Sequence, residues 1–495
     1  MSMNDDKIVE CILKIEKKYN FFEKKIYGVY IWKYIRGVIE SQLINASPGL
    51  AGKMKNIEIR NLLDIYYERL LDGLRNKNDL KKKIQIKSDI LFVTQNTRVY
   101  EDGYAVDRYV EDYIQNIGND IIPYVVEWTL TESDTRLPNP KTKNLHYISH
   151  EYICSKYNKE KLIEYNDVKK IIVSEFIVNL KKERNLIFSD KNIRVICEEA
   201  YIVINYWKAY VRYYMKLFNK VKPKVIFFYN YSEFNVKVLV ACARKRNIPI
   251  VEISHGYPVK DDINYVNDCR DIDIIPDYML CYGKCQRKFY IRSDCHYGLK
   301  KRNIIAIGKI KTDIYRNTDC DRKRCKLKQI TVFSSVDKKL FNFTLKLSDV
   351  LDKNKFKLVY KFHPIEYGRC KKEKNELQKK GITVIDDDSS KLYDIMKNSD
   401  FILGNVSTTM YEAIGLRKKV MIFEETSYKY NFRSDLVKYN VAIGVHSVGD
   451  VQDALYDEWT NKLTTKNVDY IMEKNAIINW QKFVKCILKG GKVIC

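Results

Sequence analysis

The chain has 495 residues, 45% of them hydrophobic and 31% charged, with a formal charge of +25 at pH 7. That length exceeds what one hydrophobic core supports, and the composition excludes a disordered chain. The basic excess calls for an anionic partner, yet no zinc-finger spacing, RNP-type aromatic signature or basic-zipper heptad favours nucleic acid.

Residues 1–87 read as a helical extension. Phe21, Phe22, Ile26, Tyr30, Ile31, Tyr34, Ile35 and Val38 are spaced for a broad apolar face, with Lys24, Lys25, Lys33 and Arg36 among them. This face either packs on the next domain or lies on an anionic membrane, and Trp32 serves both readings. The opening MSMNDDKIVE lacks a signal-peptide profile and no apolar run is long enough to span a bilayer, so a cytoplasmic location is expected. From Ser88 strands and helices alternate. Strands are expected at 90–94, 121–126, 225–229, 249–253, 278–281 and 304–307, and helices at 106–117, 193–219 and 233–246. Residues 130–190 are less legible, with Pro138 and Pro140 marking a loop. The stretch 300–328 carries eleven Lys or Arg against three Asp and no sustained apolar period, so it reads as a connection. A second series then places strands at 330–333, 356–361, 382–385, 401–403 and 420–423, with helices near 338–351, 371–380, 390–397 and 408–416. The expected architecture is α/β, two Rossmann-like doubly wound domains facing a cleft: 88–310, a basic linker at 311–328, and 329–495.

Four strand-end loops carry polar groups toward that cleft. TQNTRVYEDG (94–103) offers the acids Glu101 and Asp102. Ser254-His255-Gly256 puts an imidazole at a strand's carboxyl end, where it suits a general base, with Gly256 letting the backbone turn sharply. Lys361-Phe362-His363-Pro364 follows the strand FKLVY; a cation and an imidazole two residues apart on an extended segment project to one side, and Pro364 ends the ladder. Gly404-Asn405 and Ser407-Thr408-Thr409 stand between a strand and a helix, where free backbone N–H groups and the positive end of the helix dipole suit a phosphate. The plain alternative is that Thr409 caps the helix and Glu412 closes a capping box. Asp386-Asp387-Asp388 reads as a solvated turn. Thirteen cysteines show no paired C-x-x-C spacing, which points to reduced thiols and to no metal site.

The order ISHGYP (253–258), PDYMLCYG (276–283), IAIGKIKTD (305–313), YKFHP (360–364) and GNVSTTMYEAIGL (404–416) resembles the GT-B-fold glycosyltransferases of bacterial capsule and surface-polysaccharide synthesis. These are relatives of bacterial sialyltransferases, Kdo transferases and CDP-glycerol glycerophosphotransferases. YGVYIWKYIR (27–36) resembles the helical leader of capsule-type members. The resemblance implies a metal-independent inverting transferase with no cofactor besides its nucleotide-activated sugar donor, CMP- or CDP-linked, and a saccharide or lipid-linked saccharide acceptor. It implies donor-phosphate binding by His363, Ser407, Thr408 and Thr409, and a place for Glu412 near the nucleotide ribose. Sialyltransferases carry an acidic D/E-D/E-G motif as base. Here Glu101-Asp102-Gly103 follows the first strand while His255-Gly256 fills the later position, so the base is Asp102 or His255. A nucleotide-sugar 2-epimerase or a glycerophosphotransferase would share the architecture. A basic scaffold at the membrane would explain the charge but not the four loops. Lipid-linked acceptors and the net charge predict peripheral contact with an anionic membrane, through 300–328 and the helix around Trp32.

Overall fold

Apolar runs bounded by turn residues become the strands of two parallel sheets. The computed structural model describes residues 5–45, 87–95, 97–118, 120–129, 139–183, 186–257, 263–266, 272–291, 298–318, 327–387, 391–405, 407–425, 435–457, 459 and 461–490. The expected extension beyond residue 45, together with Pro138, Pro258, Asp388 and Val406, lies outside them.

The N-terminal segment holds a helix at Asp5–Lys18, the hairpin strands β1 (Lys25–Ile26) and β2 (Val29–Tyr30), and a helix at Trp32–Asn45. The apolar face expected over 21–38 is thus not one helix. Tyr27 and Gly28 take left-handed conformations, with φ 50° and 84°, which turn the chain into the hairpin. Trp32 is fully buried, its ring 5.4 Å from that of Phe176 and its Nε1 donating to Glu16 at 2.7 Å. The membrane-surface reading of this helix is therefore overturned: Lys33 and Arg36 are buried too, and Arg36 bonds Glu16 at 2.9 Å.

The first domain contributes β3 (Ile90–Gln95), β4 (Arg98–Glu101), β5 (Tyr104–Asp107), β6 (Tyr124–Thr129), β7 (Leu145–Ser149), β8 (Val225–Phe228), β9 (Ile250–Ile253), β10 (Tyr278–Cys281) and β11 (Ile304–Ala306). Seven of these form a parallel sheet in the order β11-β10-β9-β8-β3-β6-β7. The order reverses between β3 and β8, which opens a crevice at their carboxyl ends. Two expectations fail here. Residues 98–107 are an antiparallel hairpin rather than a loop, because Asp102 and Gly103, with φ 52° and 79°, make the tight turn that Asp-Gly favours. The helix expected over 106–117 shrinks to Glu111–Gln115, since Val106 and Asp107 belong to β5. The less legible region supplies β7 and helices at His150–Tyr157 and Tyr165–Ile172, which pack on the long helix Asp190–Val221. Part of the basic connection is itself a helix, Ile310–Asn317.

The second domain contributes β12 (Lys328–Phe333), β13 (Phe356–Lys361), β14 (Thr383–Ile385), β15 (Phe401–Gly404), β16 (Lys419–Phe423) and β17 (Ile443–Val445), parallel in the order β14-β13-β12-β15-β16-β17. Its reversal falls between β12 and β15. The molecule is thus two Rossmann-like doubly wound domains facing a cleft, the GT-B arrangement, with an N-terminal helical extension packed into the first core. The last helix, Ala476–Leu488, which the sequence assigns to the second domain, crosses back to the first. Its Trp480 lies 4.9 Å from the ring of Phe227, shares a core with Phe92, and donates from Nε1 to the Tyr113 carbonyl at 2.9 Å. Among the described residues no helix is long and apolar enough to cross a membrane.

Because Trp480 is fully buried in the first domain's core, Trp480→Ala is expected to cost about 3–5 kcal/mol, as large-to-small core changes do. Urea unfolding followed by far-UV circular dichroism measures this; an unchanged midpoint would refute the crossing-back helix as a structural tie.

Candidate active site

The carboxyl ends of β9, β10 and β11 and the turn after β15 meet where the domains touch. After β9 the chain runs Ser254-His255-Gly256-Tyr257, held by the buried Gln286, whose Nε2 donates to Ser254 Oγ at 2.7 Å and to the Gly256 carbonyl at 2.8 Å. Across the boundary, Ser407 is the N-cap of the helix Thr408–Gly415. The Tyr257 backbone N–H donates to Thr408 Oγ1 at 3.3 Å, and the Tyr257 ring stacks on Tyr411 with centroids 3.4 Å apart. A Cβ on Gly256 would stand 3.0 Å from Thr408 Oγ1. Gly256 therefore serves close approach between domains rather than the sharp turn expected, since its φ is not positive.

His255 lies edge-on to Tyr109, with ring centroids 5.9 Å apart, and 6.5 Å from Tyr229. Burial draws its pKa down to about 4, and the nearby Lys309 ammonium adds to the shift. The imidazole is thus neutral at physiological pH. Ser407 has an extended backbone, φ −150° and ψ 164°, and makes no side-chain cap bond. The capping box expected between Thr409 and Glu412 is absent, because Glu412 is buried and turned to the Lys309 ammonium instead. Burial opposes the charge on Lys309, but Glu412 raises its pKa and keeps it ionised. The Met410 N–H donates to the Ser407 carbonyl at 3.0 Å, and the Thr408 and Thr409 amides stand at the positive end of the helix dipole.

Asn405 follows β15 and donates to Asp337 Oδ2 at 2.7 Å, tying Gly404-Asn405 to the loop after β12. His363 follows β13 as the N-cap of the short turn Pro364–Glu366, and its Nδ1 accepts from the Ile365 N–H at 3.3 Å. The proton of the neutral ring therefore sits on Nε2, which is left to donate outward. The chain packed around His363, with Arg108 and Lys361 nearby, holds it below the ordinary histidine range, while Glu366 opposes. Lys361 is held inside its own domain. The Lys361 ammonium is buried against the Asp387 carbonyl at 2.9 Å and the Tyr367 hydroxyl, within its own domain.

Glu101 and Asp102 sit at the hairpin tip and pair across the cleft. Glu101 meets Lys311, and both carboxylate oxygens of Asp102 lie 2.6 Å from Lys391 Nζ. Hydrogen bonding to Lys391 holds the exposed Asp102 carboxyl below its usual range, which weakens it as a base. The structure thus brings His255, Gly256, Ser407 and Thr408 together and sets Glu101, Asp102 and Lys361 aside as ion-pair and packing residues. Sequence reasoning missed Lys309, whose only signal was its place just past an apolar strand. It also missed His446, set 2.9 Å from Glu424 and 3.2 Å from Glu425 at the ends of β17 and β16; the acidic pair closing MIFEE was the available signal. Among the described residues no group of three His, Cys, Asp or Glu gathers to hold a metal ion.

No family model and no curated protein matches the chain. Among solved structures, UDP-GlcNAc 2-epimerase from Neisseria meningitidis aligns at TM-score 0.48 and 11% identity over 81% of this chain and 100% of that one. The Methanocaldococcus jannaschii UDP-GlcNAc 2-epimerase gives 0.47 and 12% over 81% and 99%, and the wall teichoic acid polymerase TagF gives 0.44 and 11% over 86% and 98%. All three scores lie below 0.5, so the likeness assigns no activity.

The His255 shift has a thermodynamic consequence with a definite sign. Between about pH 6.5 and 4 the unfolded imidazole takes a proton that the folded one refuses, so stability falls as pH drops through that window. His255→Asn should flatten that fall. Urea midpoints at the two ends of the window, for wild type and variant, measure it, and equal slopes would refute the depressed imidazole.

Proposed function

We propose that the protein is a GT-B glycosyltransferase that moves a sugar from a nucleotide-activated donor to a saccharide or lipid-linked saccharide acceptor, with inversion and without a metal. The observation that carries this reading is the contact of Tyr257 N–H with Thr408 Oγ1, which sets the His255 loop against an anion-binding helix N-terminus. His255 is the base. Its neutral ring takes the acceptor hydroxyl proton as the oxygen attacks the anomeric carbon, and the bond from that carbon to the leaving phosphate oxygen breaks. The charge developing on the phosphate meets the Ser407–Thr409 turn and His363 Nε2–H. An imidazole with a pKa of about 4 is a weak base in the empty site, but the negative charge of a bound donor raises its proton affinity, so base strength follows donor binding. The pairing of Asp102 with Lys391 favours His255 over Asp102 for this role.

Thermal shift with CMP, CDP, UDP and GDP tests the donor class, with stabilisation by CMP or CDP expected. His255→Ala should lose turnover and keep nucleotide binding, whereas His363→Ala and Ser407→Ala/Thr408→Ala should each lower turnover by roughly a hundredfold, since one donor to a developing anion is worth about 3 kcal/mol. His363→Gln, which keeps an N–H where Nε2–H stands, should retain more activity than His363→Asn. Full activity in His255→Ala refutes the base, and isomerisation of the donor without an acceptor would mark an epimerase instead.

We also propose cytoplasmic action at the inner membrane face, now through exposed Lys300, Lys301 and Arg302 rather than Trp32. Flotation with anionic vesicles should show binding that salt abolishes, because exposed charges are screened beyond about 10 Å at 0.1 M. No binding at low salt refutes it.

A further inference from the structure

The Lys309–Glu412 pair joins the domains at the point where base and turn meet. Lys309 stands at the carboxyl end of the sheet, two strands from His255, and Glu412 lies one turn into the helix Thr408–Gly415. Both side chains are buried, at 9% and 5% exposed. The Lys309 ammonium lies 5.4 Å from the Tyr282 ring, whose centroid is 6.4 Å from Tyr257, which stacks on Tyr411. The first domain therefore grips two consecutive residues of one helix, Tyr411 through an aromatic stack and Glu412 through a charge. Further along, Arg316 Nε donates to the Gly415 carbonyl at 2.7 Å.

Stability alone does not call for this pair. Replacing a buried ion pair by apolar side chains of similar volume is often neutral or stabilising, whereas removing one partner costs about 3–5 kcal/mol. What the charges add is register. An apolar contact tolerates a slide or a small rotation of the helix, and a desolvated ammonium facing one carboxylate does not.

We propose that Lys309 and Glu412 are positioning residues for the transfer step, their ion pair fixing the rotation of the helix Thr408–Gly415 so that its first-turn amides face the His255 loop. In this role the two residues act through the helix rather than on the donor or the acceptor. The inference rests on the 407–409 turn as the donor side of the site. Tyr113, Tyr282, Tyr393 and Glu412 face the Lys309 ammonium, Asp112 feels its charge, and Tyr109 and Tyr229 flank His255.

The test compares a neutral variant, Lys309→Met/Glu412→Leu, with a reversed pair, Lys309→Glu/Glu412→Lys, using CMP-sialic acid and CDP-glycerol as donor probes and thermal midpoints to confirm folding. In the neutral variant nucleotide affinity should stay within about threefold while kcat falls roughly tenfold or more, the signature of lost alignment rather than lost binding. Its acid limb should move to higher pH, because Lys309 no longer disfavours the imidazolium; a purely structural pair would leave that limb in place. The reversed pair should recover a substantial part of kcat. A wild-type kcat in the folded neutral variant overturns the proposal, as does a folded reversed pair that recovers nothing. Failure of the donor-site reading looks different: the wild type itself would then bind none of the nucleotides. Failure of the base reading would show as turnover in His255→Ala, with the kcat loss and rescue at Lys309 and Glu412 still deciding this proposal.

Discussion

The docking of one eight-residue helix, Thr408–Gly415, on the carboxyl edge of the first sheet is the constraint on which the arrangement of the molecule depends. A two-domain α/β chain joined by a connection has no intrinsic reason to hold its halves in register, and interdomain faces are usually more polar than cores. Here the face is sealed by groups that tolerate little displacement: a buried ammonium on a carboxylate, two stacked tyrosines, and a glycine at which a Cβ would stand only 3.0 Å from Thr408 Oγ1. Each is short-ranged, so together they define a single docked position.

The chain reinforces that position by crossing the boundary more than once. The helix Ile310–Asn317 leaves the first domain and contacts the helices of the second, and the final helix returns to bury Trp480, Phe483 and Val484 under β3 and β8. The returning helix makes the first core incomplete without the last residues of the chain. The ion pairs of the hairpin tip, Glu101 with Lys311 and Asp102 with Lys391, add a more solvated clasp over the cleft. Solvated pairs contribute little to stability and are readily remade, so this clasp suits a mouth that must admit substrate.

Most of the two sheets was legible because strands covered on both faces must be continuous apolar runs, and LFVT, VIFF and FILG stand out against a Lys-rich background. The short β7, with three half-buried residues, gave no such run. The hairpin after β3 reads as a loop in the sequence although Asp102-Gly103 favours a tight turn, because β4 and β5 are only four residues each and β4 is mostly unburied. The crossing helix was not legible as such: periodicity shows that Trp480 and Phe483 share an apolar face but not which core receives it. Strand-end position was legible for His255, His363 and the 407–409 turn, each of which follows a parallel strand. What no pattern in one sequence shows is pairing between residues a hundred positions apart, which is why Glu412 was assigned to a ligand while the structure gives it to Lys309.

That reassignment bears on how the site handles charge. The cleft gathers Lys309, Lys311, Lys391, Arg108 and the positive end of a helix, yet most of these cations already have carboxylate partners. Lys309 is paired with Glu412 and desolvated, so in the proposed reaction it acts on the donor phosphate indirectly, through the helix that carries Glu412. Burial disfavours the His255 imidazolium first, and the Lys309 charge adds to that effect. In the proposed reaction this one buried cation bears on both halves, orienting the helix that carries the phosphate turn and adding to the burial that keeps the imidazole unprotonated. The two requirements pull on a single side chain, which is a physical reason for a lysine at a position that a well-packed apolar residue would otherwise fill at lower cost.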